Sequence, residues 1–432
     1  MNPDLILLPR RSALLAGHRN TLDVLVRIQA PAAPDRDHVR PSLNLAIVID
    51  RSGSMRGKPL QEALRCAGFM IDGLGPNDRA SIIVYDNTVE VLVPSTLVVD
   101  RQIFHRALRQ VRGGGSTALH DGWLAGAEQV SAHLSPSTIS RVLLLSDGQA
   151  NKGLTDSAAI AQQCAALAEA GVSTSTYGLG RSFNEDLMGE MARLGGGNSY
   201  YGQSAEDLMD PFREEFDLLS AMYARQVSLS LTPAAGVTLE VLNGYRRVGG
   251  AWRLPDLAFE GEAWALARLM IPAEIGDRPE SPVLLLASAS MIDMDGEPIE
   301  TNTARLILPS LPAPAFGAVT EDELVRRRAQ ELEAARYQEQ ARQAALNGQW
   351  DRVQALIIEA RSKSADNEWI HESLKVLEGY ARTRRTRAFS KEAYYSSRKM
   401  RSRLTSQLEQ SWSDQEDEPT FLRRKREQGR TQ

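Results

Sequence analysis

Residues 43–50, LNLAIVID, form an unbroken apolar run that ends in an acid, the pattern of a strand covered on both faces in a parallel sheet. A polar loop, RSGSMRGK, follows. LQEALRCAGFMIDGL then places Leu60, Ala63, Leu64, Ala67, Met70 and Ile71 at helical spacing before the turn GPND. The same alternation repeats, predicting strands at 80–86, 141–147 and 172–180 and helices at 104–111, 122–134 and 158–171. A last helix is expected from about Asp207 to Tyr223. Strands alternating with helices imply an α/β domain with a Rossmann-like, doubly wound, mostly parallel sheet wrapped by helices on both sides.

From about Arg225 the period changes to two. QVSLSLTP, VTLEVLN, AWALARLMIP, PVLLLASASM and ARLILP are separated by Gly, Pro and Asp turns with no helical segment between them, which predicts an antiparallel β-sandwich. LDVLVRIQAPA (22–32) has the same strand character but precedes the α/β unit, so it is expected to pair into the sandwich, making the α/β domain an insertion. After the linker PSLPAPAFGAV (309–319), helix formers dominate. Ala341, Ala344, Ala345, Leu346, Trp350, Val353, Leu356 and Ile357 draw one apolar stripe broken at Asn347–Gly348, the punctuation of a helical hairpin that resembles a single tetratricopeptide unit. The expected layout is therefore residues 1–40 as N-terminal strands of the sandwich, 41–223 as the α/β domain, 224–310 as the sandwich, 320–410 as a helical hairpin or bundle, and 411–432 as a disordered tail.

Length and composition narrow the reading further. A chain of 432 residues suggests two to four units at roughly 100–200 residues per domain. A net charge of −5 gives no whole-chain reason to expect a nucleic-acid or membrane-surface binder. The run Leu5–Leu8 is too short for a signal segment and precedes the arginines, and no stretch reaches the roughly 20 apolar residues that span a bilayer. Cys66 and Cys164 stand in apolar helical patterns without a CxxC or His partner, so both read as buried thiols. A cytoplasmic location, without membrane association, is the resulting expectation.

Ligands of doubly wound sheets sit beyond the carboxyl ends of the strands, and three polar loops are expected there. Asp50-Arg51-Ser52-Gly53-Ser54 can aim a carboxylate and two hydroxyls at one point, with Gly53 permitting a tight backbone path. Gly113-Gly114-Gly115-Ser116-Thr117 opens a helix and adds a hydroxyl, and Ser146-Asp147-Gly148 adds a second carboxylate. Oxygen donors of this kind suit a hard cation, Mg²⁺ foremost, with Mn²⁺ or Ca²⁺ as alternatives. Two carboxylates leave such an ion incompletely neutralised, so an acidic group on a partner would complete its shell.

DRSGS, the Thr of GGGSTALHDG and the Asp of LLLSDGQAN together resemble the metal-ion-dependent adhesion site of von Willebrand factor A domains, over about residues 43–205. The resemblance implies that Asp50, Ser52, Ser54, Thr117 and Asp147 are direct or water-mediated metal ligands and that the open position takes a partner's Glu or Asp. The layout, an A domain inserted in a sandwich, is similar to that of inter-alpha-trypsin inhibitor heavy chains. Family analogy further implies a MoxR-type ATPase as a companion. His120, Asp121 and Asn151 lie beside these positions in sequence, where support of the site competes with helix capping. Arg51 either steers an acidic partner or is merely solvated.

Other chemistry has less support. Neither glycine triplet, 113–115 nor 195–197, has the GxxxxGK[ST] pattern, so both read as turns. No Ser-His-Asp or Cys-His order is recognisable, and no general base for a metal-dependent hydrolase presents itself; the chain reads as a binding protein, not an enzyme. Between 382 and 403, Arg382, Arg384, Arg385, Arg387, Lys391, Arg398, Lys399, Arg401 and Arg403 interleave with Phe389, Tyr394 and Tyr395. A solvated basic helix, offset by Asp414, Glu416, Asp417 and Glu418, outweighs a nucleic-acid grip here. The expected function is a metal-dependent adaptor that captures an acidic side chain of one protein and offers its helical region to a second.

Overall fold

The computed structural model describes residues 2–33, 40–147, 150–179, 183–202, 205–276, 282–364, 367–402 and 405–406. The expected tail, with its acidic run, and Arg403 lie outside these residues. The chain forms two compact units. One comprises residues 34–226 and 292–298; the other comprises 1–33, 227–291 and 299–432, so the sandwich strands and the helical region, read separately from the sequence, share a unit.

In the first unit the apolar runs become a six-stranded sheet. Its strands are β1 (Ser42–Asp50), β2 (Arg79–Tyr85), β3 (Val89–Leu97), β4 (Thr138–Ser146), β5 (Val172–Leu179) and β6 (Gly196–Gly202), in the order β3-β2-β1-β4-β5-β6. All neighbours are parallel except β3, which runs antiparallel to β2. The helices are α1 (Lys58–Gly73), α2 (Arg101–Gln110), α3 (Leu119–Ser131), α4 (Ser157–Glu169), α5 (Glu185–Leu194) and α6 (Met209–Ser220).

Alternation along β1 shows why the run is wholly apolar. Leu43, Leu45, Ile47 and Ile49 enter one core with residues of α1, α2 and α6. Ala46 and Val48 face the other way and pack with α3, α4 and α5. Burial on both faces is the doubly wound arrangement, and the fold class read from the pattern stands. Three elements lay outside that reading: β3, α5 and β6. Cys66 and Cys164 are buried and unbridged.

In the second unit Asn20–Gln29 pairs antiparallel along its whole length with Gly261–Ile271, from Asn20 opposite Ile271 to Gln29 opposite Glu262. Asp4–Pro9, Thr238–Val241 and the short strand Thr405–Ser406 complete that sheet. A second sheet centres on Met222–Pro233 and Val283–Asp293, which pair antiparallel with Ala251–Arg253 and Ala304–Ile307 respectively. A four-residue helix, Ala273–Gly276, interrupts the stretch expected to hold strands alone. The linker is also more structured than expected: Ser310–Leu311 pairs with Leu14–Leu15, and Ala313–Gly317 is helical.

Four helices follow: α7 (Glu323–Leu346), α8 (Trp350–Lys363), α9 (Glu368–Arg382) and α10 (Thr386–Ser402). Gly348, at φ +71°, supplies the left-handed turn between α7 and α8. Ala341, Ala344, Ala345, Val353, Leu356 and Ile357 of the expected stripe share a core with Phe389, Ala393 and Met400 of α10. The last helix thus folds back on the first, and the hairpin is part of a closed group instead of an isolated tetratricopeptide-like pair. Val325 and Leu332 of α7 pack on Leu25, Trp264 and Leu266 of the sheet. Among the described residues no helix is long and apolar enough to cross a membrane.

Candidate metal centre

The ends of β1 and β4 lie side by side, with Ile49 opposite Leu145, so their terminal polar residues meet. Asp50 is fully buried. Its Oδ1 accepts the Ser52 amide at 2.8 Å and its Oδ2 accepts the Ser146 hydroxyl at 2.7 Å. Ser52 Oγ is 3.2 Å from Ser54 Oγ, and Ser54 Oγ donates to Asp147 Oδ1 at 2.7 Å. Hydrogen bonds therefore link Asp50, Ser52, Ser54 and Asp147 in one cluster that joins two loops 93 residues apart.

Thr117 joins through its backbone. The Gly113–Thr117 loop is stitched to the first loop by Gly114 N to Arg51 O at 2.7 Å and Gly53 N to Gly115 O at 3.0 Å. Thr117 is buried; its amide donates to Asn151 Oδ1 at 2.9 Å, and the Asn151 amide returns to the Thr117 carbonyl at 3.2 Å. Asn151 thus braces the third loop. His120 contacts Asp121 and Gln163 at 3.2 and 2.8 Å.

Gly53 has no positive φ, and a Cβ there would make only an ordinary 3.5 Å contact with Gly115 O. Gly115 is the demanding position: its φ is +89°, and a Cβ would lie 2.4 Å from Asn87 Oδ1. Arg51 is likewise not merely solvated, because its guanidinium pairs with Asp86 at 3.3 Å and Glu90 at 2.9 Å.

Electrostatics single out the two carboxylates. Burial pushes Asp50 above the ordinary carboxylate range, against the hydrogen bonds from Ser52 and Ser146. Burial likewise pushes Asp147 up to about 6, opposed by the Ser54 hydroxyl and reinforced by the charge of Asp50. Among the described residues neither acid has an ion-pair partner. A donor set of hydroxyls and two charge-deficient carboxylates fits a hard divalent cation, whose charge would offset both effects. The described residues hold no group of three or more His, Cys, Asp or Glu suited to a metal, so any cation here relies on hydroxyls as well.

Residues 44–214 match the family model of the von Willebrand factor type A domain. The chain carries a von Willebrand factor type A domain. It is 28% identical over 245 residues to an uncharacterized protein of Synechocystis, spanning 55% of this chain and 56% of that one. Inter alpha-trypsin inhibitor heavy chain 4 of Mus musculus is 26% identical over 164 residues, 36% of this chain and 17% of that protein. The chain therefore matches little more than half the length, or less, of these relatives. A solved structure, the von Willebrand factor type A protein from Catenulispora acidiphila, superposes with a TM-score of 0.69 at 17% identity, covering 86% of this chain and 89% of that one. Type A domains typically mediate metal-dependent protein–protein interaction.

The described residues of the basic segment form no comparable site. Phe389, Tyr394, Tyr395 and Lys391 are buried within α10 and its packing, and the Arg342 guanidinium lies 4.9 Å from the Tyr394 ring. Buried rings do not stack on bases.

The sequence reading passed over Ser146 as a support of Asp50 and Tyr85 as its neighbour. Their signal was register: Tyr85 is the parallel-sheet partner of Asp50, and ASIIVYD and RVLLLSD both end at that level.

Proposed function

We propose that the type A domain is a divalent-metal-dependent protein-binding module, an adaptor, in which Asp50, Ser52, Ser54, Thr117 and Asp147 hold Mg²⁺ directly or through water. Mn²⁺ and Ca²⁺ are alternatives. When bound, the ion supplies positive charge to two buried carboxylates and an attachment point for an Asp or Glu of a partner protein. The carrying observation is that Asp50 and Asp147 share one hydrogen-bonded cluster with no cation from the protein among the described residues. Ser52 and Ser146 orient Asp50, Ser54 orients Asp147, and Asn151 holds the Thr117 loop.

The same reading offers the helical region α7–α10 to a second protein, places the chain in the cytoplasm, and, by family analogy, gives it a MoxR-type ATPase as a companion. No catalytic role is proposed.

The test is affinity capture with the wild-type chain and Asp50→Ala, in Mg²⁺ and in EDTA, read by mass spectrometry. Partners held by wild type in Mg²⁺ are expected to disappear in EDTA and in the variant, with circular dichroism unchanged. An identical partner set in all four samples would overturn the reading.

A further inference from the structure

Three residues form a row across the carboxyl edge of the sheet. Asp50 ends β1, Tyr85 is its register partner at the end of β2, and Ser146 ends β4 on the other side. Paired residues of neighbouring strands point to the same face of the sheet, here the face covered by α3. Tyr85 packs there with Val48, Leu119 and Trp123. The helix makes room for it with Gly122, where a Cβ would fall 2.5 Å from the tyrosine ring. The ring is thereby wedged, and its hydroxyl is delivered to the inner side of Asp50.

That hydroxyl is anomalous. Tyr85 is completely buried, and its oxygen interacts with Asp50 and Ser146 yet forms no well-aligned hydrogen bond among the described residues. Burying a hydroxyl whose hydrogen bonds are poorly aligned is unfavourable, and Phe would fill the same space without that cost. Ser146, by contrast, donates to Asp50 Oδ2 at 2.7 Å. Carboxylates that hold metals are themselves held by hydrogen bonds from behind, and loss of those bonds weakens metal binding.

On the metal reading above, we propose that Tyr85 and Ser146 are positioning residues that grip the inner oxygens of Asp50, the tyrosine hydroxyl closing its hydrogen bond when the cluster is loaded. Neither residue would touch the ion.

Mn²⁺ alone serves as the probe, titrated by calorimetry into the full chain and into Tyr85→Phe, Ser146→Ala and Ser146→Thr. Kd is expected to rise roughly tenfold in Ser146→Ala, by about threefold in Tyr85→Phe, and to return toward wild type in Ser146→Thr. The metal-free Tm of Tyr85→Phe is expected to equal or exceed that of wild type, because the hydroxyl removed had no aligned partner. A purely structural role for Tyr85 would instead lower that Tm. Wild-type binding with unchanged Kd in both Tyr85→Phe and Ser146→Ala, or a metal-free Tm that falls in step with affinity, would overturn the proposal. A wild-type chain that takes up no Mn²⁺ would sink the metal reading itself and this inference with it.

Discussion

The type A domain buries two acidic clusters on one sheet, and they are built on opposite plans. Glu215, on α6, is completely buried. Its Oε1 receives the Arg141 guanidinium at 2.7 Å and the Ser175 hydroxyl at 2.6 Å; its Oε2 receives the Asn198 amide at 2.9 Å and the Tyr200 hydroxyl at 2.8 Å. Burial alone would raise Glu215, but Arg141 and these donors overcome it and hold the carboxyl below its ordinary value. Asp50 and Asp147 are raised instead, since burial acts on them with no cation from the protein to oppose it. An acid that closes its own charge balance ties α6 to β4, β5 and β6. An acid pair that leaves the balance open is equipped to receive a charge from outside.

The strongest way to break this contrast is at Glu215. Glu215→Ala leaves Arg141 buried without its partner, which costs about 3–5 kcal/mol, read as a loss in denaturant-unfolding stability of the type A unit. A loss below about 1 kcal/mol would show that Arg141 finds water and that the cluster does not anchor α6. Removing an acid at the other cluster is expected to have the reverse sign. Asp147 titrates near 6 when folded against an ordinary 3.8, so the metal-free folded state keeps a proton that the unfolded chain releases, and stability falls as pH rises through that window. Asp147→Asn removes the penalty. Without metal it is expected to exceed wild type by on the order of 1–3 kcal/mol above pH ~6 and to match it below pH ~4. Glu215 has the opposite slope: its contribution is complete above its ordinary value of 4.5 and is lost as pH falls through its lower folded value. Saturating Mg²⁺, at 100 times Kd, should stabilise wild type by about 2.7 kcal/mol and Asp147→Asn by none. Equal gains in both would remove Asp147 from the cluster.

The two clusters were also unequally legible in the sequence. Asp50, Ser52 and Ser54 stand within five residues after a continuous apolar strand, so their convergence follows from local chain geometry and from where parallel strands end. Asp147 and Thr117 required only the further assumption that all strand ends share one edge. Nothing local announces the Glu215 cluster, because Arg141, Ser175, Asn198 and Tyr200 come from three strands and Glu215 sits among the exposed-looking acids of EEFD. The missed strands have physical reasons of their own. β3, an edge strand, carries Pro94 and shows little continuous burial. β6 begins GGN and reads as a turn, yet Gly197 answers close backbone approach: a Cβ there would sit 2.2 Å from the Thr174 carbonyl. Ser146 and Tyr85 were visible as letters at strand ends, but only register shows that they stand on either side of Asp50.

The finest test of the contrast sets one tyrosine against another. Tyr200 donates to Glu215 Oε2 at 2.8 Å, and its ring stacks on Tyr177 at 5.0 Å between centroids. Tyr200→Phe keeps the stacking and removes one of four donors, leaving Oε2 with Asn198 and Oε1 with Arg141 and Ser175. Because the charge of Glu215 remains balanced by Arg141, the loss should be confined to a single charged hydrogen bond, about 1.5–3 kcal/mol, measured by denaturant unfolding of the metal-free chain. Tyr85→Phe, which removes a hydroxyl with no aligned partner, should cost nothing in the same assay. Equal losses at the two positions would mean that Tyr85 is as firmly bonded as Tyr200, and the open character assigned to the Asp50 cluster would have to be given up.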